Sequence, residues 1–323
     1  MLGRILGSGL LALGLLVASA NPALADSQHH RLVVFGDSLS DPGNAFVLLK
    51  TLEVPPFVSL IPDAPYARGA LHFSNGPTWI EQLALREHTL SAGPALLRPR
   101  VFSNYAVGGA RARYDGNFHL GAQVGLFVLD SGGHGPADAL YVVFIGANDI
   151  RDALGALAYD STGVTSAGML QLALYAIRDN ILTLYSAGAR HLLVANAPDI
   201  ALTPAVRMLG PTVQGAAHML VTQFNGGLEA ILHGLETSLG ANITRFNVYG
   251  VLNSVVASPA SVRLTNVTDP CIVLATLVNP YCARPDQYLF WDGIHPTKAG
   301  HRILAERAET ALTIGAAPVA MRR

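Results

Sequence analysis

The chain has 323 residues, of which 50% are hydrophobic and only 13% are charged. This composition excludes an intrinsically disordered protein, because disorder needs low hydrophobicity and high net charge. The formal net charge of −1 reflects no excess of basic residues, so no nucleic-acid partner is expected. Two classes remain open, a membrane protein and a soluble domain with deeply buried strands.

The N-terminus has the pattern of a secretory signal peptide. One cation, Arg4, precedes an apolar run over residues 10–18, and Ala23-Leu24-Ala25 resembles a cleavage site. The alternative is a retained membrane anchor, but the run is shorter than the roughly 20 residues of a spanning helix. We therefore expect a signal peptide over residues 1–25 and a mature chain over 26–323. The mature protein is expected to be secreted or periplasmic.

After this segment, short apolar runs alternate with helical patterns. Strands are predicted over 32–35, 101–107, 140–145, 192–195 and 243–248, and helices over 78–87, 121–129, 166–187, 213–239 and 297–312. Helix 213–239 is expected to be loosened at Gly226 and Gly227. Continuous apolar strands separated by helices are typical of a parallel sheet covered on both faces. We therefore predict a single α/β domain of three layers, αβα, around a central five-stranded parallel sheet.

The two cysteines, Cys271 and Cys282, lie close together near the C-terminus. In an exported chain, an even pair at this spacing indicates one disulfide that closes a short loop. The alternative is two buried, unpaired thiols, which suits a cytosolic protein better.

Residues suited to acyl transfer follow the predicted strands. They are Ser38 after the first strand, Gly108 and Gly109 after the second, Asn148 after the third, and Asp292 and His295 before the last helix. Because ligands bind beyond the carboxyl ends of parallel strands, these side chains are expected at one edge of the sheet. Together they supply a nucleophile, a base, a group that orients the base, and oxyanion donors.

Each of these residues also has a structural interpretation that is the better one in isolation. A serine after a strand is usually a turn or cap residue, and paired glycines usually form a turn. Asp292 and His295 could simply cap the helix that Pro296 and Thr297 open. All the residues together, each at the expected edge, favour the catalytic interpretation.

The same positions carry a family resemblance. The blocks Phe35-Gly-Asp-Ser-Leu-Ser-Asp-Pro-Gly-Asn44, Asn104-Tyr-Ala-Val-Gly-Gly-Ala110, Gly146-Ala-Asn-Asp149 and Asp292-Gly-Ile-His295 occur in that order. They resemble the four blocks of the GDSL esterases/lipases, in the SGNH hydrolase superfamily. The segment over 72–80 is similar to the RFSNGxxW segment of the secreted bacterial lecithinase/haemolysin-like branch. His72 stands where that branch often has arginine, and Pro42 stands where it often has threonine.

The resemblance implies a flavodoxin-like fold and a role for each position. Ser38 is expected to be the nucleophile, His295 its general base and Asp292 the group that orients His295. The expected oxyanion hole consists of the Ser38 and Gly109 amides and the Asn148 side chain. Asp37 is expected to shape the nucleophile loop. The expected activity is hydrolysis of a lipid or other small-molecule ester through an acyl-enzyme.

Other functions remain as alternatives to this hypothesis. The same site would suit an acyltransferase that moves a phospholipid acyl chain to a sterol, or a carbohydrate acetylesterase, and a non-enzymatic binding protein is the remaining alternative. The sequence carries neither a P-loop nor a dinucleotide fingerprint, and its histidines lack metal-site spacing, so no cofactor and no metal are expected. We expect a monomer that makes at most transient contact with a membrane surface.

Overall fold

The computed structural model describes residues 30–50, 71–116, 118–272 and 281–316. The predicted signal peptide over 1–25 lies outside these residues, so the start of the mature chain at residue 26 stays a prediction. The described part of the chain has three layers, helix, sheet and helix, as the sequence predicts.

Four parallel strands form the central sheet. They are β1 (Leu32–Gly36), β2 (Leu140–Phe144), β3 (His191–Ala195) and β4 (Asn242–Phe246), hydrogen-bonded in that order. Leu32 lies opposite Leu140, which lies opposite His191. Because all four strands are parallel, their carboxyl ends lie at one edge of the sheet, where ligands bind in such folds.

The predicted count of five strands is wrong, because the segment over 101–107 does not form a regular strand. It runs along the outer edge of β1, where Val34 donates to Ser103 O at 2.9 Å and Tyr105 donates to Val34 O at 2.8 Å. The Asn104 carbonyl accepts a hydrogen bond from the Asn44 side chain at 2.8 Å. The same carbonyl also accepts from Ala95 N at 3.0 Å. Within the described residues, Asn104 forms isolated bridges with Val34 on one side and Pro94 on the other, so the segment lacks the continuous ladder of a regular strand.

Nine α-helices and three 3₁₀-helices surround the sheet within the described residues. The α-helices are α1 (Asn44–Leu49), α2 (Trp79–Arg86), α3 (Leu120–Asp130), α4 (Ala147–Ala156), α5 (Val164–Ser186), α6 (Pro204–Arg207), α7 (Pro211–Leu239), α8 (Val248–Ala257) and α9 (Lys298–Ala316). The 3₁₀-helices are Ile200–Leu202, Pro259–Val262 and Pro285–Gln287. The helical pattern of the sequence predicted α2, α3, α5, α7 and α9, and missed α1, α4, α6 and α8.

Each face of the sheet buries its own apolar cluster. On one face, Val33 and Phe35 pack against side chains of α3, α4, α5 and α7. On the other face, Leu32 and Val34 pack against α2 and α9. This alternation follows from strand geometry, since successive side chains point to opposite faces. The apolar composition of the chain is therefore explained by strands that are buried on both sides.

The expected loosening of α7 at Gly226 and Gly227 is wrong, because the helix is continuous from Pro211 to Leu239. A Cβ on Gly227 would come 2.5 Å from Leu174 Cδ1 of α5, whereas a Cβ on Gly226 would meet no atom within 4 Å. Gly227 thus lets two long helices approach each other closely.

A second, two-stranded sheet lies near the C-terminus. It pairs β5 (Asn266–Pro270) with β6 (Tyr288–Phe290) in parallel, with an irregularity in the register. Cys271, which follows β5, forms the predicted disulfide with Cys282. Cys271 N donates to Phe290 O at 3.0 Å, so the disulfide lies beside the end of β6.

None of the helices in the described ranges is long and apolar enough to cross a lipid bilayer.

Candidate active site

Ser38 lies in a tight turn directly after β1. Ser40 N donates to Asp37 O at 3.0 Å, which closes the turn around Ser38 and Leu39. The end of β1 is held by Gln123 of α3, whose Oε1 accepts from Gly36 N at 2.9 Å and whose Nε2 donates to Gly36 O at 2.8 Å. Both backbone groups of Gly36 are therefore fixed, and with them the direction in which the Ser38 turn leaves the sheet.

Asp292 and His295 lie in a second tight loop, between β6 and α9. Trp291 N donates to His295 O at 2.7 Å, which closes this loop across its base. Asp292 Oδ1 accepts from His295 N at 2.7 Å. The interpretation of Asp292 and His295 as helix caps is wrong, because Thr297 Oγ1 accepts from Gly300 N in the first turn of α9.

The two loops bring three side chains into one hydrogen-bonded chain. Ser38 Oγ lies 2.8 Å from His295 Nε2, and His295 Nδ1 lies 2.6 Å from Asp292 Oδ2. All three side chains are buried, with Ser38 the most exposed at 8%. Burial alone would raise the pKa of Asp292, but His295 and two backbone N–H donors hold it below its usual value. Asp292 therefore stays ionised at neutral pH and can stabilise a positive charge on His295.

The structure explains why the turn that follows Val107 contains two glycines. Ala110 N donates to Val107 O at 3.1 Å, and Gly109 in this turn has a φ of +79°. A Cβ on Gly108 would lie 2.3 Å from the ring of Phe73. A positive φ and a close approach are the two conditions that favour glycine over all other residues.

Asp41 ties the turn of Ser38 to the glycine turn. This buried carboxylate accepts from Gly43 N, Asn44 N and Ala45 N, and its Oδ2 also accepts from Gly108 N at 2.7 Å. Burial raises the pKa of Asp41 to about 6, against the effect of these N–H donors. Because Asp41 occupies the Gly108 amide, that amide is not available to a ligand.

Two backbone amides of the site are left open. Among the described residues, neither Ser38 N nor Gly109 N donates a hydrogen bond. Asn148, in the first turn of α4, donates through Nδ2 to Ala110 O at 2.9 Å, which connects it to the glycine turn. The second proton of this amide has no acceptor in the described part of the chain.

An ion-pair cluster that the sequence analysis missed joins the glycine loop to α4. Arg113 pairs with Asp149 at 2.8 Å and with Asp152 at 2.6 Å, and Arg111 pairs with Asp152 at 3.0 Å. Burial raises the pKa of Asp149, while the Arg113 guanidinium and backbone N–H groups lower it. The available signal was a pair of arginines at positions 111 and 113 and a pair of acids at positions 149 and 152. Their pairing could not be predicted from this signal, because it depends on the fold.

The segment over 72–80 contacts both the turn of Ser38 and the loop of His295. Trp79 Nε1 donates to Ser40 Oγ at 3.0 Å, and Ser74 Oγ donates to Pro296 O at 2.9 Å. The Phe73 ring lies 5.3 Å from the ring of His295. His72, the departure from the family pattern, lies 2.9 Å from Glu81 of α2. This segment therefore connects the Ser38 turn to the His295 loop, 257 residues apart in sequence.

A cavity of about 700 Å³ opens at the carboxyl edge of the sheet. Its wall includes Ser38, Asn148 and His295, together with many aliphatic side chains, but Gly109 is not part of it. Burial raises the pKa of Asp37, which also lines the cavity, to about 6. In the described ranges, no group of three or more His, Cys, Asp or Glu side chains is arranged to hold a metal ion.

Comparison with known proteins identifies related chains. The chain is 27% identical to a GDSL esterase/lipase of Arabidopsis thaliana over 322 residues, which covers 90% of this chain and 91% of the relative. It is 25% identical to the thermolabile hemolysin of Vibrio parahaemolyticus over 306 residues, which covers 90% of this chain and 65% of that protein.

A solved structure of an acetylxylan esterase from Geobacillus stearothermophilus is also similar, with a TM-score of 0.48 and 17% identity. That match covers 88% of this chain and 94% of the other.

The model of the family described as GDSL-like Lipase/Acylhydrolase matches residues 32–308, which is most of the chain. The matched range contains all four sequence blocks, and with them the turn of Ser38 and the loop of His295. The protein therefore belongs to the GDSL lipase/acylhydrolase family and is a serine ester hydrolase.

Proposed function

We propose that the protein hydrolyses apolar carboxylic esters through an acyl-enzyme formed on Ser38. The observation that carries this proposal is the hydrogen-bonded chain from Ser38 through His295 to Asp292, with distances of 2.8 and 2.6 Å. A base within 3.2 Å of the nucleophile, itself oriented by a third group, is the arrangement that activates a serine hydroxyl.

In the first half of the reaction, Ser38 Oγ attacks the ester carbonyl carbon while His295 Nε2 takes the hydroxyl proton. The bond between that carbon and the alcohol oxygen then breaks, and His295 returns the proton to the leaving alcohol. In the second half, His295 takes a proton from water, which attacks the acyl-enzyme. The acid leaves, and Ser38 Oγ recovers its proton.

The negative charge that develops on the carbonyl oxygen needs hydrogen-bond donors. Ser38 N, Gly109 N and Asn148 Nδ2 are proposed as these donors, because no other described group accepts from the two amides or from the second Asn148 proton. Gly108 N is excluded, since it already donates to Asp41. Removal of one such donor typically lowers kcat about 10²- to 10³-fold.

The proposed substrate is an ester with apolar groups, such as a lipid. Aliphatic side chains dominate the wall of the cavity that contains Ser38. An acetylated carbohydrate would need a wall rich in hydrogen-bonding groups, so this wall argues against a carbohydrate acetylesterase. Transfer of the acyl group to a second alcohol would use the same steps, with that alcohol in the place of water.

We also propose that the protein is exported, with cleavage of residues 1–25. The disulfide between Cys271 and Cys282 supports export, since such bonds persist in oxidising compartments. The check is mass spectrometry of the N-terminus after expression in a bacterial host. A chain that keeps Arg4 and stays in the cytoplasm would contradict this proposal.

The test of the catalytic assignment is Ser38→Ala. We expect hydrolysis of p-nitrophenyl butyrate to fall by at least about 10⁴-fold, because the nucleophile is lost. A fluorophosphonate probe should label wild-type Ser38, identified by peptide mass spectrometry, and should leave Ser38→Ala unlabelled. Ser254→Ala, on an exposed position of α8, is the control and should keep full activity. Undiminished turnover by a folded Ser38→Ala variant would refute the assignment.

A further inference from the structure

The cavity beside Ser38 extends over both faces of the sheet. One part of its wall, called arm one, is formed by α4, α6, α7 and the 3₁₀-helix Ile200–Leu202. The other part, called arm two, is formed by α8, β6 and α9. In arm one, Ile200 and Val206 belong to the apolar cluster of the α4 face. In arm two, Leu289 and Ile303 belong to a separate cluster between α8, β6 and α9.

Ser38 and His295 lie between the two arms. Ser38 follows β1, whose side chains alternate between the two apolar clusters, so the turn of Ser38 stands at the edge that separates the faces. Asn148 begins α4, on the side of arm one, and His295 follows β6, on the side of arm two. An ester bound at Ser38 therefore has apolar wall on both sides of its reacting carbon.

The proposed chemistry places the alcohol part of the ester in one arm and the acyl part in the other. His295 must protonate the oxygen of the leaving alcohol, so the alcohol lies on the side of His295 and arm two. With the carbonyl oxygen held by Asn148 and the open amides, the acyl chain takes the direction that the alcohol leaves free, toward α4 and arm one.

We propose that the substrate carries an apolar chain on each side of the ester bond, with the acyl chain in arm one and the alcohol chain in arm two. This inference rests on the proposed function and adds the substrate class, an ester of a long-chain acid with an apolar alcohol. Each methylene that enters an apolar arm is expected to raise kcat/KM by up to about fourfold. A site with one arm would respond to the length of only one chain.

Gly155 is the specificity position of arm one. It lies in α4, it lines the cavity, and a Cβ built on it would meet no atom within 4 Å. Gly155→Leu therefore adds an isobutyl group to the open space without a clash, and it replaces a poor helix former by a good one. The matched control is Gly125→Leu in α3, where a Cβ also meets no atom within 4 Å and which does not line the cavity.

Leu252 is the corresponding position of arm two. It lines the cavity from α8 and is partly exposed, so that Leu252→Trp narrows the arm with little disturbance of the core. The matched control is Ser254→Trp, an exposed position of the same helix outside the cavity wall.

The experiment uses the full chain and two ester series. One series varies the acyl chain from 2 to 16 carbons on a fixed short alcohol, and the other varies the alcohol chain on a fixed butyrate, with about fourfold gain per methylene as the upper expectation. We expect Gly155→Leu to lower kcat/KM for long acyl chains at least about tenfold and to leave the alcohol series within about twofold. Leu252→Trp should give the reverse pattern, and both controls should match the wild type.

The inference is overturned if both variants affect the same ester series, or if neither variant affects either series. It is also overturned if Gly155→Leu affects the alcohol series and Leu252→Trp affects the acyl series. These outcomes are distinct from a failure of the proposed function. If the proposed function fails, wild-type Ser38 will not react with the fluorophosphonate probe, and no ester of either series will be hydrolysed.

Discussion

Several buried titratable side chains lie near Ser38 and His295, and one of them is His301 of α9. It is fully buried, and neither ring nitrogen has a hydrogen-bond partner among the described residues. Burial, together with the nearby His295 and His72, lowers the pKa of His301 to about 3. Its imidazole is therefore neutral in the folded protein at neutral pH.

This pKa predicts a specific loss of stability in acid. Because the folded pKa lies below the unfolded value of 6.5, the stability from neutral His301 is complete above about pH 6.5. It is lost as the pH falls toward 3, by about 1.4 kcal/mol per pH unit. His301→Leu should flatten this dependence in urea unfolding at pH 4.5, 5.5 and 7. His134→Leu, at an exposed position, is the control, and parallel profiles for wild type and His301→Leu would contradict the prediction.

At the scale of single residues, the members of the candidate site could be predicted where the sequence carried a local signal. Ser38 and Asn148 follow apolar runs that were predicted as strands, so the pattern of strands placed them at one edge. Asp292 and His295 precede the last predicted helix, and the family resemblance of their block was the signal for them. Gln123 could not be found in this way. Its side chain holds both backbone groups of Gly36, which lies 87 residues away, and a lone glutamine on a helix has no distinguishing pattern.

At the scale of elements, the disulfide supports the loop that carries Asp292. Cys271 follows β5, and its neighbour Ile272 donates through N to Trp291 O at 2.8 Å, next to Asp292. Cys282 N also donates to Cys271 O at 2.7 Å. The disulfide thus fixes the segment of Cys271 and Ile272, which is hydrogen-bonded to Trp291 at the start of the loop of Asp292 and His295.

Removal of this disulfide is expected to lower both stability and activity. The double variant Cys271→Ala/Cys282→Ala should lose about 3 kcal/mol of unfolding free energy, the value for a loop of this length. Its Tm, urea unfolding and hydrolysis of p-nitrophenyl butyrate are the measurements. Wild-type protein treated with a reductant under native conditions is the comparison and should move in the same direction. An unchanged unfolding free energy in the double variant would refute this role.

The elements predicted correctly are those with a long or strongly apolar pattern, such as β2 and α5. Elements that depend on neighbours distant in sequence were missed or misjudged. The segment over 101–107 has the pattern of a strand, but Asn104 forms isolated bridges with Val34 and Pro94 and no continuous ladder, so no regular fifth strand forms. Conversely, Gly226 and Gly227 predict a loosened α7, yet the helix is continuous. The absence of a side chain at Gly227 leaves room for Leu174 of α5.

At the scale of the whole molecule, the segment over 72–80 assembles a site whose parts come from opposite ends of the chain. Asn75 Oδ1 accepts from Lys298 N at 2.6 Å, at the first residue of α9 and three residues after His295. This contact and the bond from Ser74 to Pro296 O fix the position of the His295 loop against the rest of the fold.

Asn75→Ala should therefore weaken catalysis more than substrate binding. We expect kcat to fall about tenfold with little change in KM, because a small displacement of His295 affects the reaction and not the cavity. Asn75→Asp keeps an acceptor at the same place, where a negative charge is also favourable at a helix N-terminus, and should restore most of kcat. Equal activity of the alanine and aspartate variants would contradict this positioning role.

The class of fold, the family and the candidate catalytic residues could all be predicted from the sequence, because they depend on short blocks and on the local alternation of strands and helices. Which distant groups meet became visible in the tertiary structure. It paired Arg111 and Arg113 with the acids of α4, left the Gly109 amide open while Asp41 occupied that of Gly108, and opened an apolar cavity over both faces of the sheet. The physical reason is that such contacts depend on the packing of whole elements, and local patterns carry no information about the distances between them.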